Sequence, residues 1–371
     1  MNNLMMRRFQ NLIKWMEEKK IECVALNAGQ SLRYLTGLDF HVSERPAILL
    51  VSSSSNSAFF FPEFESEKLR SESFPFRMVP YKEDPSLWVK ELQNAFDFLR
   101  LKTNSVAVEP TAMRYLELDL IRRAAHDPEI ISGQEIFSKL RIIKDDVEIQ
   151  CIKKAIEIAQ DALSETLPLI QPGVTEKEIA NALVTNLLKL GSDPILPFSP
   201  IVASGPNSAN PHAVPSDREM ETQDMLIIDW GASYHGYISD ITRTFAIKEI
   251  RQEMVTIYDI VKHANLSARE IKSDLFIANQ IDSAARSVIQ KEGYGKFFTH
   301  RTGHGIGLES HEEPYITETN QQSITPGMTF TIEPGIYLPD QGGVRIEDDI
   351  CAGKDRLISL TTFDRELKIL G

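Results

Sequence analysis

The stretch DWGASYHGYISDITRTF, residues 229–245, sets two aspartates eleven positions apart in strongly apolar surroundings. Asp229 follows Met225, Leu226, Ile227 and Ile228, and Asp240 lies between Ile238 and Ile241. Carboxylates rarely enter a buried strand unless something offsets their desolvation. Gly231 and the Tyr234-His235-Gly236 triplet predict a hairpin turn near 232–236. The turn brings Asp229 and Asp240 onto adjacent strands, so the two desolvation costs fall in one place.

Two further segments downstream hold polar residues in apolar runs. In THRTGHGIGLESHEEP, 299–314, glycines flank His304 and let backbone approach closely. In MTFTIEPGIYLPDQGGVRIEDDI, 328–350, Glu333 ends one β-prone run, PDQGG turns the chain, and Glu347 closes the next. The candidates are therefore Asp229, Asp240, His304, Glu333 and Glu347. Four converging carboxylates repel one another, and several would have to stay protonated. Two divalent cations remove that repulsion. Four oxygen donors and one nitrogen, without sulfur, suit Mn²⁺, Co²⁺, Fe²⁺ or Zn²⁺ better than Ca²⁺. Taken singly, an aspartate in an apolar run, a GHG and an EPG each read as turn chemistry. The weight lies in all three occurring in order, with strand–turn–strand context for both carboxylate pairs.

The rest of the chain narrows the class. Its 371 residues suffice for two domains. A net charge of −13 opposes non-specific nucleic-acid binding, which needs a basic surface. Cys23, Cys151 and Cys351 lie far apart and form no CxxC pair, which argues against a disulfide framework or a thiolate zinc site. The N-terminus is charged throughout, no apolar run of about 18 residues exists to span a bilayer, and a reducing cytoplasm is the expected compartment.

Residues 4–20 read as an amphipathic helix with Leu4, Phe9, Leu12, Ile13 and Met16 on one face. CVALNA, AILLVS, SAFFFP and NSVAVEP are β-prone runs, and TAMRYLELDLIRRAA is helical in pattern. This alternation predicts an α/β domain over 1–132, with a second domain over 133–371. A long helical pattern begins at 139, and a second helix follows PGVT. The segment 277–293 echoes 175–191 at an offset of 102, matching Ile281 to Ile179, Ala284 to Ala182, Lys291 to Lys189 and Gly293 to Gly191. A duplicated helix-plus-strands unit would place a site along a pseudo-twofold axis.

The order Asp, Asp, His, Glu, Glu resembles the pita-bread metallopeptidase family, which includes methionine aminopeptidase, prolidase and aminopeptidase P. The likeness is close in DWGASYHGYISDITRTF, GHGIGLESHEEP, TIEPGIY and GGVRIED. SLRYLTG and LRIIKDDVEI resemble the N-terminal domain that prolidases and aminopeptidases P share with creatinase. The resemblance implies an α+β protein with a creatinase-like α/β domain, a pita-bread domain with an internal pseudo-twofold repeat, and Xaa-Pro peptidase activity on short proline-containing peptides. It implies two divalent ions, Mn²⁺ favoured. Asp229 would bind one of them, Asp240 and Glu347 would bridge both, and His304 and Glu333 would complete the other. Glu333 would also act as general base, His212 would contact substrate, and His311 would stabilise the tetrahedral intermediate. Arg345 and Tyr337 would pair with the ligand carboxylates, and His300 would stand behind them. Read alone, His212 is a loop histidine among Pro, Asn and Ser, and His235 is a solvated turn residue. A homodimer is also implied, with the loop in YLTGLDFHVSERPA, 34–47, near the partner's catalytic mouth and His41 contacting substrate.

One position departs from the pattern. Several prolidases carry an arginine four residues after the equivalent of His311, where it clamps the carboxyl terminus of a dipeptide. Here that residue is Tyr315. A phenol cannot supply bidentate charge pairing, so strict dipeptide specificity is weakened and longer Xaa-Pro peptides gain weight. The rival readings are a creatinase-like hydrolase that uses no metal, and a non-catalytic binding protein of the same fold.

Overall fold

A computed structural model describes residues 2–70, 74–273 and 275–371. The chain divides into two compact units, one ending at Arg141 and the other beginning at Ile142.

The first unit is built on a mixed six-stranded sheet. Its order is Arg77–Tyr81, Ser57–Pro62, Ile48–Ser52, Cys23–Asn27, Ser105–Val108, Glu129–Ser132. The runs CVALN, ILLVS and SAFFFP are buried on both faces, which explains why they are continuously apolar rather than alternating. The helix Asn2–Glu18 buries Met5, Phe9, Leu12 and Met16, a stripe at helical spacing. The strands Arg77–Tyr81 and Glu129–Ser132 carry too little apolar pattern to be legible in the sequence.

The long helical pattern from 139 is not one helix. Gln134–Arg141 ends it, and a new helix, Asp146–Thr166, starts under a capping box in which Asp145 accepts from Val147 and Glu148 while Glu148 accepts from the Asp145 N–H. Between them Lys144 is buried in an ion pair with Glu312, a contact no helical periodicity announces.

The second unit repeats one arrangement twice. The helices Glu176–Lys189 and Ala278–Lys291 are each 14 residues long and begin 102 positions apart. Met225–Trp230 pairs with Ile241–Ile247 in a four-stranded sheet, and Thr329–Ile332 pairs with Asp348–Ala352 in a five-stranded one. Each sheet shares a buried apolar core with its own helix pair, Asp146–Thr166 with Glu176–Lys189 and Gln252–Arg269 with Ala278–Lys291. The predicted turn is present as a two-residue hairpin loop. His235 and Gly236 both take positive φ, 51° and 81°, which matches the twist of the flanking strands. Among the described residues no helix is long and apolar enough to cross a membrane.

Candidate metal centre

Strand pairing assembles the acidic residues. Asp229 pairs with Thr242 across the antiparallel ladder, so Asp240 lies just beyond the end of the neighbouring strand. Thr242 in turn bridges to Glu347, joining the first sheet to the segment between Gly342–Arg345 and Asp348–Ala352. His304 occupies a strand of only three residues, flanked by glycines on both sides. A Cβ on Gly303 would lie 1.9 Å from the Thr331 carbonyl oxygen, and one on Gly305 would lie 2.2 Å from that of Glu313. No larger residue fits this strand between its neighbours, and the glycines fix the depth at which the imidazole enters.

One donor atom each from Asp240, His304 and Glu347 lies within 4.8 Å of the other two. His304 Nε2 is 3.4 Å from Glu333 Oε1 and 3.7 Å from Asp240 Oδ2. Asp229 lines the same cavity, which encloses about 550 Å³. Its Oδ2 accepts from Arg345 Nη2 at 2.7 Å, while its Oδ1 is buried without a partner. Nδ1 of His304 lies 3.2 Å from the Gly305 carbonyl oxygen, which can only accept. The proton therefore sits on Nδ1, and the lone pair of Nε2 points into the space between the carboxylates, where a metal ion could take it.

The electrostatics suit a cation. Burial pushes the Asp229, Asp240, Glu333 and Glu347 carboxyls above their ordinary values, Glu333 to about 7. Glu347 and Asp229 push Asp240 further up, whereas Arg345 draws Asp229 back down. Burial, aided by His311 and Arg301, holds His304 well below the ordinary imidazole range, so it stays neutral. An orphaned carboxylate oxygen, mutually repelling carboxyls and a neutral imidazole aimed at them fit divalent cations.

The other predicted residues fall in two groups. His212, His300, His311 and Arg345 line the cavity, and Tyr337 reaches it through hydrogen bonds to His300 Nε2 and from Arg345 Nη1, each 2.8 Å. His300 donates from Nδ1 to its neighbour's carbonyl, and burial lowers its pKa to about 3, so its Nε2 accepts from the Tyr337 hydroxyl. The His304 and His311 rings meet edge to face, 4.3 Å between centroids. His41 is exposed in a loop of the first unit and is not among the residues lining this cavity. His235 is exposed in its turn.

Three contributors escaped the sequence reading. Thr242 donates to Glu347 Oε2 at 2.6 Å and accepts from Arg345 Nε at 3.0 Å, so one hydroxyl orients a ligand candidate and the cation behind Asp229. Asp349 Oδ2 accepts the Asp240 N–H at 3.1 Å. Its signal was visible as a third consecutive acid in an apolar strand. Arg301 also lines the cavity.

This is a two-domain α/β protein whose second unit carries a carboxylate-rich centre suited to divalent metal. The chain belongs to metallopeptidase family M24, whose pattern it matches over residues 150–354, and residues 8–143 match the creatinase/prolidase N-terminal domain. It is 34% identical to an Xaa-Pro dipeptidase of Pyrococcus furiosus, over 98% of this chain and 100% of that one. The solved structure of an Xaa-Pro dipeptidase from Bacillus anthracis superposes with a TM-score of 0.90 at 34% identity, covering 99% of this chain and 100% of that one. An X-Pro aminopeptidase from Thermotoga maritima gives 0.83 at 32%, covering 98% and 99%. As a member of a metallopeptidase family, the chain uses divalent metal ions.

Proposed function

We propose that this chain is a dinuclear-metal peptidase that hydrolyses the bond between an N-terminal residue and proline, in dipeptides or short peptides. The observation that carries the reading is one cavity lined by four carboxylates, those of Asp240 and Glu347 buried, and a neutral histidine, in a chain similar over nearly its whole length to Xaa-Pro dipeptidases. Asp229, Asp240, His304, Glu333 and Glu347 would hold two ions, Mn²⁺ favoured for this oxygen-rich donor set. Bound there, the ions would supply Lewis acidity and an acidified water as nucleophile.

The remaining work falls to side chains. Glu333 accepts the water's proton and returns it to the departing proline nitrogen. His311, on the cavity rim beside His304, donates a hydrogen bond to the developing oxyanion. His212 contacts substrate from its exposed loop. Arg345 and Tyr337 orient Asp229 and His300. A bond before proline has no N–H to donate, so recognition by an enclosing cavity suits it better than pairing along a strand edge. Neither a creatinase-like reaction without metal nor a binding protein needs this ion-binding set. The enzyme acts as a homodimer, with His41 of one protomer's N-terminal loop near the partner's site; sedimentation at micromolar concentration showing a fully active monomer would remove that element.

The test is a substrate panel of Ala-Pro, Met-Pro, Xaa-Pro-Yaa tripeptides and Met-Ala-Ser, each with Mn²⁺, Co²⁺ or Zn²⁺. Cleavage confined to bonds before proline is expected. Turnover of Met-Ala-Ser alone would make the chain a different aminopeptidase, and no turnover with any ion would favour the binding protein.

A further inference from the structure

The buried acids of the second unit are not all at the metal centre. Glu176, the first residue of the helix Glu176–Lys189, is fully buried, yet it is not among the residues lining the cavity. Both of its oxygens accept hydrogen bonds. Oε1 takes the Ser204 N–H at 2.6 Å and the Ser204 hydroxyl at 2.9 Å. Oε2 takes the Ser216 N–H at 3.0 Å and the Ser216 hydroxyl at 2.6 Å. The Asn207 side-chain amide donates to both, 3.1 Å to each. Burying a carboxyl group is costly, and this ring of donors offsets the cost.

Ser204 and Ser216 are the two ends of one loop. The strand Ile201–Ser204 leads into it. Beyond it the chain runs back beside the helix start, where the Glu176 N–H donates to the Arg218 carbonyl and the Lys177 N–H to that of Ser216. Arg218 backs the clasp, its Nη1 donating to the Ser204 hydroxyl at 2.7 Å and to Asp224 at 2.5 Å. Farther along the loop, the Ser208 hydroxyl accepts the Gly343 N–H at 2.9 Å, and the Pro211 carbonyl accepts from Arg345 Nη1 at 3.3 Å. Between Pro211 and Ser216 lie His212, Ala213 and Val214, all lining the cavity. His212 and Val214 are exposed, so packing holds them little and the anchors on either side set where they stand.

We propose that Glu176 is a positioning residue that closes the loop 204–216 at both ends and so sets His212 at the cavity wall. The inference rests on the peptidase reading above, in which His212 contacts substrate. The two oxygens serve different ends of the loop, so the clasp needs a carboxylate. A glutamine of the same shape has one carbonyl oxygen, and its NH₂ would face a backbone N–H at the other end. Such a variant can hold Ser204 or Ser216 but not both, and the loop opens at the end it releases.

The experiment is a double-mutant cycle on the Mn²⁺-loaded protein with Ala-Pro: parent, Glu176→Gln, His212→Ala and the two together. Glu176→Gln should lower kcat/KM about 10-fold, mainly through KM, with metal content like the parent's. In the His212→Ala background the same change should matter less than about twofold, because the residue it positions is gone. Glu176→Asp, which keeps two acceptor oxygens on a shorter stem, should lie between parent and Glu176→Gln. Independently of turnover, the Ser204 or Ser216 amide should exchange faster in Glu176→Gln. If Glu176→Gln does not fold, Ser216→Ala, which removes one hydroxyl from the clasp, decides by the same cycle. Losses that multiply in the double variant, or a Glu176→Gln protein within about twofold of the parent, would overturn the assignment. His212→Ala as active as the parent would remove His212 from substrate binding, and this inference with it. A parent that cleaves no Xaa-Pro peptide would overturn the peptidase reading itself.

Discussion

Asp240 and Glu347 illustrate how a residue's role follows from what surrounds it. Each is a buried acid whose charge is opposed by its neighbours, so each is stable as an anion only beside a cation. Asp240→Ala or Glu347→Ala should therefore abolish hydrolysis and lower metal content, measured by elemental analysis of the purified variant. Full metal occupancy with full activity in either variant would refute a shared dinuclear site. His311 is a different case, on the rim rather than among the carboxylates. His311→Ala should lower kcat by about 10²–10³ while metal content holds, the usual scale for one oxyanion donor. Loss of metal would show that the histidine roles are reversed. The five ion-binding candidates were legible because an acid or a histidine in an apolar run is costly wherever it points. Thr242 was not, since a threonine in a strand is ordinary and its importance comes from two long-range hydrogen bonds.

At the scale of elements, the repeated helices share length and spacing but not their caps. Thr175 opens Glu176–Lys189 with a capping box, whereas Ile277 offers no side chain to Ala278–Lys291. Thr175→Ala should cost about 1 kcal/mol in denaturant unfolding, and a cost near zero would mean that packing alone sets this helix start. In the first unit the loop before Cys23–Asn27 is tied to the loop before Ser105–Val108 by Glu22. Its carboxylate accepts the N–H of Lys102 at 2.6 Å and of Thr103 at 2.5 Å, and the Thr103 hydroxyl at 2.6 Å. Desolvation pushes this carboxyl up, but the hydrogen bonds outweigh it and its pKa is lowered. A folded pKa below the unfolded one stabilises the fold above the ordinary carboxylate range and fades as pH falls through the folded value. The thermal deficit of Glu22→Gln should thus be present at neutral pH and shrink in acid. A deficit that grows in acid would reverse the assignment.

Across the whole molecule, stability should depend on metal in one unit only. The acids that repel one another lie between the two sheets of the second unit, and a cation bound to the folded chain alone stabilises it by mass action, about 2.7 kcal/mol at a hundredfold excess over Kd. Chelation should lower the thermal midpoint and hasten amide exchange in 225–247 and 329–352, while the sheet of the first unit exchanges as before. Uniform acceleration in both units would imply that they unfold together, and no change would argue against metal binding altogether.

Local chemistry determined much of this protein from the sequence alone. The His235-Gly236 turn, the glycines around His304, the order of acids and histidines and the repeat spacing of 102 all follow from rules acting over a few residues or from direct self-comparison. Tertiary structure decided the rest. It broke the pattern at 139–170 by burying Lys144 against Glu312, residues 168 positions apart. It joined two sheets through Thr242, and it gave Arg345 four hydrogen bonds while setting Arg301 over the Tyr315 ring. The physical reason is that periodicity reports which face of an element is apolar. It does not report which distant side chain will meet a given polar group.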